Sequence, residues 1–244
     1  MPGRRLHHLE AQKQHRPSAR RHRESVRSPP AVTAFGGKPV STIGVLGAGS
    51  WGTTLADLLA RRGHQVRLWA YEPEVVSSVN ATHENPVFLP GCALAPSIRA
   101  TADPVVAVSG AGFVLTVAPS HVLRGVMERA SAGVAPGTPV VSATKGIESG
   151  TLALMSEVIA RTLPASPVVA LSGPSFALEV YQGQPTAVVA ASTDLRIAQQ
   201  VQAAFSTSRF RVYTSLDVIG VQLGGALKNV IAIAAGILDG LGLG

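Results

Sequence analysis

Three glycines with the spacing G-x-G-x-x-G are the most readily recognised chemical motif in this sequence. Gly47, Gly49 and Gly52 follow an apolar run at 42–46 that is typical of a buried strand, and they open a segment at 50–62 with leucines at helical spacing. In such a strand–turn–helix unit the glycines permit a tight turn, close approach of a pyrophosphate and packing of the helix on the strand. Amide N–H groups at the helix start then attract phosphate. The pattern predicts dinucleotide binding; the alternative is a glycine-rich turn in another kind of α/β protein.

Two lysines have the surroundings expected of residues that handle charge in a reaction. Lys228 and Asn229 interrupt a strongly apolar, small-residue-rich segment at 224–236, which we predict to be a helix. A charge in such a segment is unfavourable unless it has a function, and a partly desolvated lysine has a lowered pKa and can exchange protons near neutrality. Lys145 follows a predicted strand, where its ammonium would meet phosphate or a cofactor amide. The alternatives are a solvent-facing Lys228 and a surface Lys145.

Further candidates follow other predicted strands. The segment 172–177, Ser-Gly-Pro-Ser-Phe-Ala, is a tight turn into a helix with a hydroxyl and free amides at the same edge. Tyr71 and Glu72 lie where a dinucleotide enzyme meets the adenosine ribose, and Glu72 suits both an acid that selects NAD and a helix start. The choice between NAD and NADP therefore stays open. His121 is a candidate acid or base, with a solvent-facing histidine beside a helix-capping Ser120 as the alternative.

Strand and helix patterns alternate from residue 41, and this alternation must position the candidates. Apolar runs predict strands at 42–46, 65–69, 113–117, 138–143, 167–171, 186–191 and 211–213. Helical periodicity predicts further helices from about 73 and about 120, and at 151–163, 175–181 and 195–205. The proline- and glycine-containing segment 80–96 predicts a loop. The sequence therefore predicts an α/β fold with a doubly wound, mainly parallel Rossmann-type sheet, which binds ligands at the carboxyl ends of its strands.

The charge of the chain is unevenly distributed. The net charge is +7 over 244 residues, and residues 1–40 account for all of it, so the remainder is neutral. We therefore expect no nucleic-acid surface on the folded part, and a disordered basic tail at 1–40, with a transit peptide or an over-extended start as alternatives. The single cysteine, Cys92, excludes an internal disulfide and fits a reducing, cytoplasmic location. Lys228 and Asp239 bracket too short an apolar run for a membrane span.

Five stretches, in this order and spacing, resemble the bacterial NAD(P)-dependent glycerol-3-phosphate dehydrogenase family. They are Gly-Ala-Gly-Ser-Trp-Gly at 47–52, Ala-Thr-Lys-Gly at 143–146, and the segments 172–177, 210–213 and 220–230. The resemblance covers 41–244 and implies reversible hydride transfer between NAD(P)H and dihydroxyacetone phosphate, which gives sn-glycerol 3-phosphate for glycerophospholipid synthesis. The implied partners are NAD or NADP, a small phosphorylated substrate and, in the full-length enzyme, a second copy in a homodimer.

Carried onto this sequence residue by residue, the resemblance makes Lys228 the catalytic lysine, which protonates or polarises the substrate carbonyl oxygen during reduction. The residues that it implies for substrate binding are Lys145, Gly173, Ser175, Lys228 and Asn229. The residues that it implies for cofactor binding are Gly47, Gly49, Ser50, Trp51, Gly52, Tyr71, Lys145 and Ala177. It implies no metal site.

The resemblance also divides the chain into a tail at 1–40, a dinucleotide-binding domain at 41–214 and the start of a helical substrate domain at 215–244. The family continues through further helices that supply an acidic partner for the lysine and an Arg-Asn pair for the substrate phosphate, so we expect a chain that is truncated after the first helix of that domain. Two alternatives remain. One is a related dehydrogenase for a hydroxy acid, against which 172–177 and 220–230 weigh, and the other is a non-catalytic dinucleotide-binding module or inactive fragment.

Overall fold

The apolar runs that predict buried strands pair with one another in one sheet. A computed structural model describes residues 41–243; the predicted tail at 1–40 lies outside the described residues. In the order of their positions across the sheet, with numbers in chain order, the strands are β10 (Phe210–Ser215), β9 (Thr186–Ala191), β8 (Val168–Ser172), β7 (Val140–Ser142), β6 (Phe113–Thr116), β1 (Thr42–Leu46), β2 (Gln65–Trp69) and β5 (Ile98–Thr101). Neighbouring strands are parallel except for β8 and β9. The predicted mainly parallel sheet is confirmed.

Helices follow most of the strands and cover both faces of the sheet. In the described part of the chain they are α1 (Ser50–Arg61), α2 (Pro73–Thr82), α3 (Pro104–Val108), α4 (Leu123–Ala130), α5 (Met155–Thr162), α6 (Ala177–Tyr181), α7 (Leu195–Phe205) and α8 (Val218–Gly240), with a 3₁₀ turn at Ser131–Gly133. The period-2 alternation of β1 places Val45 in one buried cluster with Leu55 and Leu46 in the other with Met127. Two cores on opposite faces confirm the doubly wound fold.

The prediction of a loop at 80–96 is wrong in part. Its first three residues end α2, and a two-stranded antiparallel ribbon follows, β3 (Glu84–Asn85) and β4 (Leu89–Ala93). Pro90 and Gly91 suggested irregular backbone, but a ribbon of two strands has only edge strands, where a proline without an N–H is tolerated. The ribbon places Asn85 in the interior, with none of its surface exposed.

Several other boundaries differ from the predictions, and two elements, β5 and α3, were not predicted. Helix α4 begins at Leu123 rather than near 120, and α5 begins at Met155 rather than 151. The delay of α5 has a local cause, because Leu152 has a left-handed backbone (φ 57°) and Glu148 accepts hydrogen bonds from Thr151 and Arg124. These contacts hold the start of the predicted helix in a turn.

Candidate active site

The glycine turn between β1 and α1 has the geometry that its spacing predicts. Gly47 has φ +117°, and a Cβ there would lie 3.0 Å from the Ala118 nitrogen. A Cβ on Gly52 would lie 1.9 Å from the Gly47 carbonyl oxygen, so this position requires glycine for the helix to pack against the turn. A Cβ on Gly49, by contrast, would have no atom within 4 Å. The space over Gly49 is therefore open to a ligand rather than needed for packing.

The side chain of Asn85, in the ribbon, holds the glycine turn through hydrogen bonds. Its Nδ2 donates to the Ala48 carbonyl at 2.8 Å and to the Thr53 Oγ1 at 2.8 Å, and its Oδ1 accepts from the Phe88 N–H at 3.1 Å. The Thr53 hydroxyl donates to the same Ala48 carbonyl at 2.9 Å. These bonds fix the turn without a ligand. Sequence reasoning missed Asn85 because it lies in the segment predicted as a loop.

A cavity of about 690 Å³ opens between the glycine turn, the end of β2 and helix α4. Its lining includes five of the residues discussed from the sequence, namely Gly47, Gly49, Tyr71, Glu72 and His121. Tyr71 is 74% exposed at its rim. Both the cavity volume and the open space over Gly49 suit a dinucleotide, whose pyrophosphate would meet the amides at the start of α1. The residues present therefore fit NAD or NADP.

Lys145 is not among the residues that line this cavity. Its Nζ donates to the Ser175 Oγ at 3.5 Å and lies 5.9 Å from the centroid of the Trp51 ring. Partial burial, and after it the positive charge of Lys228, lowers the pKa of the Lys145 ammonium. The structure thus brings together Lys145, Ser175 and Trp51, which were predicted from different parts of the sequence.

The segment that carries Lys145 is fixed on both sides. Before it, the Thr144 hydroxyl donates to the Ala118 carbonyl at 2.8 Å. After it, Gly146 has φ +131° and packs against Ser120, so Ser120 contacts this turn rather than capping a helix. Glu148 then accepts two bonds of 2.8 Å from Arg124, and this ion pair lowers the pKa of Glu148 to about 2. The lysine backbone is therefore held between β6 and α4.

Lys228 approaches the same edge from helix α8. Its Nζ donates to the Asn229 Oδ1 at 2.9 Å and lies 5.9 Å from the centroid of the Phe176 ring. A Cβ on Gly225 would lie 2.3 Å from the Ser172 Oγ and 3.9 Å from the Lys145 Cγ. Glycine at this position therefore lets α8 pack directly on the carboxyl end of β8, which brings the two lysines to one side of the sheet.

Helix α8 begins six residues before the predicted 224–236 and ends after it, and its first turns are anchored. Asp217 caps it, since the Asp217 Oδ1 accepts from the Gly220 N–H at 2.7 Å. Gln222 is 7% exposed, accepts from the Ser156 N–H at 2.9 Å and donates to the Ser156 hydroxyl at 2.8 Å. These contacts tie α8 to the start of α5, and sequence reasoning missed them.

Some of the predicted cofactor and substrate residues line the cavity, and others contact one of the two lysines. Tyr71 lines the cavity, together with Gly47 and Gly49. Lys145 contacts Trp51 and Ser175, and Lys228 contacts Asn229; the remaining predicted residues, Ser50, Gly52, Gly173 and Ala177, lie within two positions of Trp51 or Ser175 in the chain. Gly173 packs on β9, and the Ala177 carbonyl accepts from the Thr54 hydroxyl at 3.2 Å. His121 is exposed and lines the cavity.

Two features of the described residues concern metal binding and membrane insertion. Among residues 41–243, no three His, Cys, Asp or Glu side chains are placed to hold a metal ion. In the same range, one helix, Val218–Gly240, is long and apolar enough to cross a membrane by length and composition, and it is mostly exposed. The prediction that this helix is not a membrane span stays a prediction.

Comparison with known proteins gives consistent matches. The family model described as the N-terminus of NAD-dependent glycerol-3-phosphate dehydrogenase matches residues 42–198, and the model of its C-terminus matches 217–244. A glycerol-3-phosphate dehydrogenase (NAD(P)+) of Geobacter sulfurreducens is 56% identical over 207 residues, which are 83% of this chain and 61% of the relative. That of Rhodospirillum rubrum is 49% identical, over 84% and 59%. The chain thus spans about three fifths of the length of these curated relatives.

Solved structures agree with the sequence matches. The glycerol-3-phosphate dehydrogenase of Coxiella burnetii superposes with a TM-score of 0.77 at 40% identity, over 84% of this chain and 63% of that chain. The enzyme GPD1 of Saccharomyces cerevisiae superposes with a TM-score of 0.77 at 28% identity, over 85% of this chain and 65% of that chain. The fold described above is therefore the fold of these dehydrogenases in the matched region.

Proposed function

The chain belongs to the NAD-dependent glycerol-3-phosphate dehydrogenase family, and on this premise we propose that it transfers a hydride between NAD(P)H and dihydroxyacetone phosphate. The product of reduction is sn-glycerol 3-phosphate, a precursor of glycerophospholipids. The observation that carries the proposal is the packing of α8, at Gly225, against Ser172 and near Lys145, which places Lys228 and Lys145 on one side of the sheet beside a glycine turn whose open side fits a dinucleotide.

The cofactor, when bound, supplies or accepts the hydride at its nicotinamide ring. We assign its pyrophosphate to the glycine turn and the start of α1, because Gly49 leaves that space free and the helix amides favour negative charge. Ser50, Trp51 and Gly52 continue from the turn toward Lys145, and Trp51 is held against the Phe210 ring at a centroid distance of 6.5 Å. The Trp51 ring therefore forms one wall of the space in front of Lys145.

The two ammonium groups would act on the substrate in different ways. Lys145, next to Ser175, attracts and positions the anionic substrate, with the Ser175 hydroxyl, which lies 3.4 Å from the Gly173 carbonyl oxygen, available as a hydrogen-bond partner. Lys228 donates a proton toward the carbonyl oxygen during reduction and accepts it back in oxidation. Asn229, which already holds the Lys228 Nζ at 2.9 Å, would orient that ammonium and bond the substrate.

Replacement of Lys228 tests the proposed reaction. Lys228→Ala should lower kcat by about 10²–10⁴-fold, the usual contribution of general acid–base catalysis, with little change in cofactor affinity because the glycine turn is untouched. Lys228→Arg is the matched control for charge, since a guanidinium keeps the cation but is too weak an acid to deliver the proton. It should retain substrate affinity and lose kcat.

The assay is dihydroxyacetone phosphate reduction with NADH and with NADPH, in the 244-residue chain and in that chain extended by the C-terminal part of the Geobacter sulfurreducens relative. A Lys228→Ala protein with parental kcat would contradict the catalytic role. Dinucleotide binding without turnover in both proteins would favour the other candidate, a non-catalytic dinucleotide-binding module.

We also propose a cytoplasmic protein without a membrane span, which forms a homodimer when full-length. Its single Cys92 fits a reducing compartment. Lys228 lies near the middle of α8, where an ammonium is unfavourable in a bilayer, and the C-terminal family model covers this same helix. Fractionation of cells that express the tagged protein, with washing of membranes at high pH, would test the location, and sedimentation of the full-length enzyme would test the dimer.

A further inference from the structure

We propose that Arg129 recognises the 2′-phosphate of NADP(H), and that Glu72 serves the 2′-hydroxyl of NAD(H) in the same cavity. This assignment rests on the proposed function, because it presumes that a dinucleotide lies along the glycine turn. It goes beyond it by naming the residues that set cofactor preference. Sequence reasoning left that preference open and did not consider Arg129.

Arg129 is positioned by the helix that carries it, α4, and by the ring of Trp69. Arg129 lies on α4 and lines the cavity that Gly47 and Gly49 also line. Its Cζ lies 5.7 Å from the centroid of the Trp69 ring. Trp69 ends β2, is 5% exposed and donates from its Nε1 to the Ala102 carbonyl at 3.0 Å. The ring is therefore a fixed platform for the guanidinium.

The same platform connects directly to the glycine turn. The Trp69 carbonyl accepts from the Gly47 N–H at 3.2 Å, so the end of β2 and the turn keep a fixed separation. In a dinucleotide-binding sheet, the adenosine ribose lies over the end of β2 when the pyrophosphate lies on the turn. Arg129, over Trp69, and Glu72, which follows the end of β2, are thus the Arg and Glu side chains that line the cavity at its ribose end.

The charge of Arg129 is available to a ligand. The ion pairs within residues 41–243 involve Asp57 with Arg61, Glu148 with Arg124 and Asp194 with Arg196. Neither Arg129 nor Glu72 takes part in them, and the Arg129 side chain is exposed at the cavity mouth. A planar guanidinium can bond a phosphate with two parallel N–H donors, which a hydroxyl cannot exploit to the same extent.

The two residues predict opposite preferences. An acid at the end of β2 bonds the ribose 2′-hydroxyl and repels a 2′-phosphate, whereas a nearby arginine accommodates the phosphate. With both present, we expect the chain to bind both dinucleotides, with NADPH bound at least as tightly as NADH. The advantage of NADPH should shrink as ionic strength rises, because the guanidinium is exposed.

Binding titrations of the 244-residue chain test this assignment without turnover. Arg129→Ala should weaken NADPH binding by about ten- to a hundredfold, the range for loss of hydrogen bonds to a charged group. It should change the affinity for NADH by less than about threefold. Adenosine 2′,5′-bisphosphate and AMP probe the ribose end alone. Arg129→Ala should weaken binding of the first, which carries the 2′-phosphate, and leave binding of the second nearly unchanged. Glu72→Gln should weaken the binding of NADH and not that of NADPH. Arg161→Ala removes an exposed arginine outside the cavity and should change neither.

The outcomes are separable. Equal weakening of NADPH and NADH by Arg129→Ala would overturn the assignment and make Arg129 a wall for the adenine ring. Unchanged affinity for both would also overturn it. If the parent chain bound neither dinucleotide, the proposed function would fail along with this inference, whereas binding of both with no discrimination by Arg129 would reject this inference alone.

Discussion

Lys145 and Lys228 are the two lysines between residues 41 and 244, where the other side chains that are cationic at neutral pH are arginines. Both lysines of this range lie on one side of the sheet, so they are not simply part of a surface charge that arginines supply elsewhere. An ammonium changes its pKa readily on burial and can exchange a proton, which a guanidinium cannot. At the residue scale, the choice of lysine agrees with a site where proton transfer matters.

The pKa of Lys145 gives a prediction with a definite sign. Burial, followed by the charge of Lys228, lowers this pKa from its ordinary value of 10.5, and only the protonated form attracts phosphate. Affinity for dihydroxyacetone phosphate should therefore fall with rising pH at a pH below 10.5. The unfolding free energy should rise over the same window, because the folded chain releases the proton before the unfolded chain does.

The measurement is the substrate dissociation constant from about pH 7 to about pH 10, below the ordinary pKa of a lysine. Lys145→Arg is the control, since the guanidinium stays charged throughout and should flatten the profile. A parental profile that is already flat, or one that Lys145→Arg leaves unchanged, would assign the anion attraction to another group.

Gly49 gives the sharpest separation of folding from binding. Gly49→Val should abolish NAD(P)H binding, because the side chain would fill the space assigned to the pyrophosphate. The fold should persist, with a loss of about 1 kcal/mol or less from a poorer helix cap, since a Cβ there meets no atom within 4 Å. Gly52→Ala is the contrasting variant, because its Cβ would lie 1.9 Å from the Gly47 oxygen and should destabilise the fold itself.

Calorimetric titration with both dinucleotides and thermal unfolding of the same proteins distinguish these effects. Parental dinucleotide affinity in Gly49→Val would show that the pyrophosphate lies elsewhere.

At the scale of elements, the ribbon of β3 and β4 acts on the site through one side chain. Asn85 is fully buried and divides its bonds among Ala48, Thr53 and Phe88. Asn85→Ala should lower the unfolding free energy by about 1–3 kcal/mol, since it leaves buried polar groups without partners. It should also weaken dinucleotide binding, because the Ala48 carbonyl would lose a fixed donor beneath the turn.

Asn80→Ala supplies a matched control for this prediction. Asn80 also joins two elements, α2 and β5, through a pair of bonds of 2.9 Å with Ala100, but it does not line the cavity. It should cost stability and leave dinucleotide affinity unchanged. Denaturant unfolding and titration of both variants give the comparison; equal effects on affinity would make Asn85 a packing residue only.

The contrast between α7 and α5 explains how much of the fold could be predicted. Helix α7 was predicted with its observed ends, because apolar periodicity and the capping Asp194 agree. Helix α5 was predicted four residues early, because Glu148, Thr151 and Arg124 hold its first residues in a turn, and such a contact between distant residues leaves no local pattern. The alternation of strands and the periodicity of helices can be read from neighbouring residues. Contacts such as that of Asn85 with Ala48 or of Arg129 with Trp69 join residues that are distant in sequence and leave no such pattern.

The candidate site divides in the same way. The glycine turn, Lys145 and Lys228 could be found from residue type and spacing, since each follows a recognisable strand or interrupts an apolar helix. Asn85 and Arg129 could not, because their roles depend on which elements lie across the cavity. Periodicity predicts that α4 packs on the sheet but not that Arg129 lies over Trp69.

For the molecule as a whole, α8 is the feature that departs most from an ordinary soluble surface. Its large side chains Val230, Ile231, Ile233 and Ile237 are between 56% and 69% exposed and lie within two turns of one another. Contiguous apolar patches of this kind mark interfaces, or cause association when nothing covers them. Its anchoring through Gln222 and Asp217 leaves the first turns packed while the later ones project.

A polypeptide of these 244 residues should therefore self-associate. Sedimentation velocity over a range of concentrations should show oligomers that grow with concentration, because each association removes apolar surface of α8 from water. The double variant Ile231→Lys, Ile237→Lys should shift the protein toward monomer, while NADH affinity stays at the parental value because both positions lie away from the glycine turn. Leu152→Lys removes an equally apolar side chain that is 78% exposed outside α8 and should leave the association unchanged. A parent chain that stays monomeric, or one that Leu152→Lys disperses as well as the α8 variant does, would contradict the assignment of association to this helix.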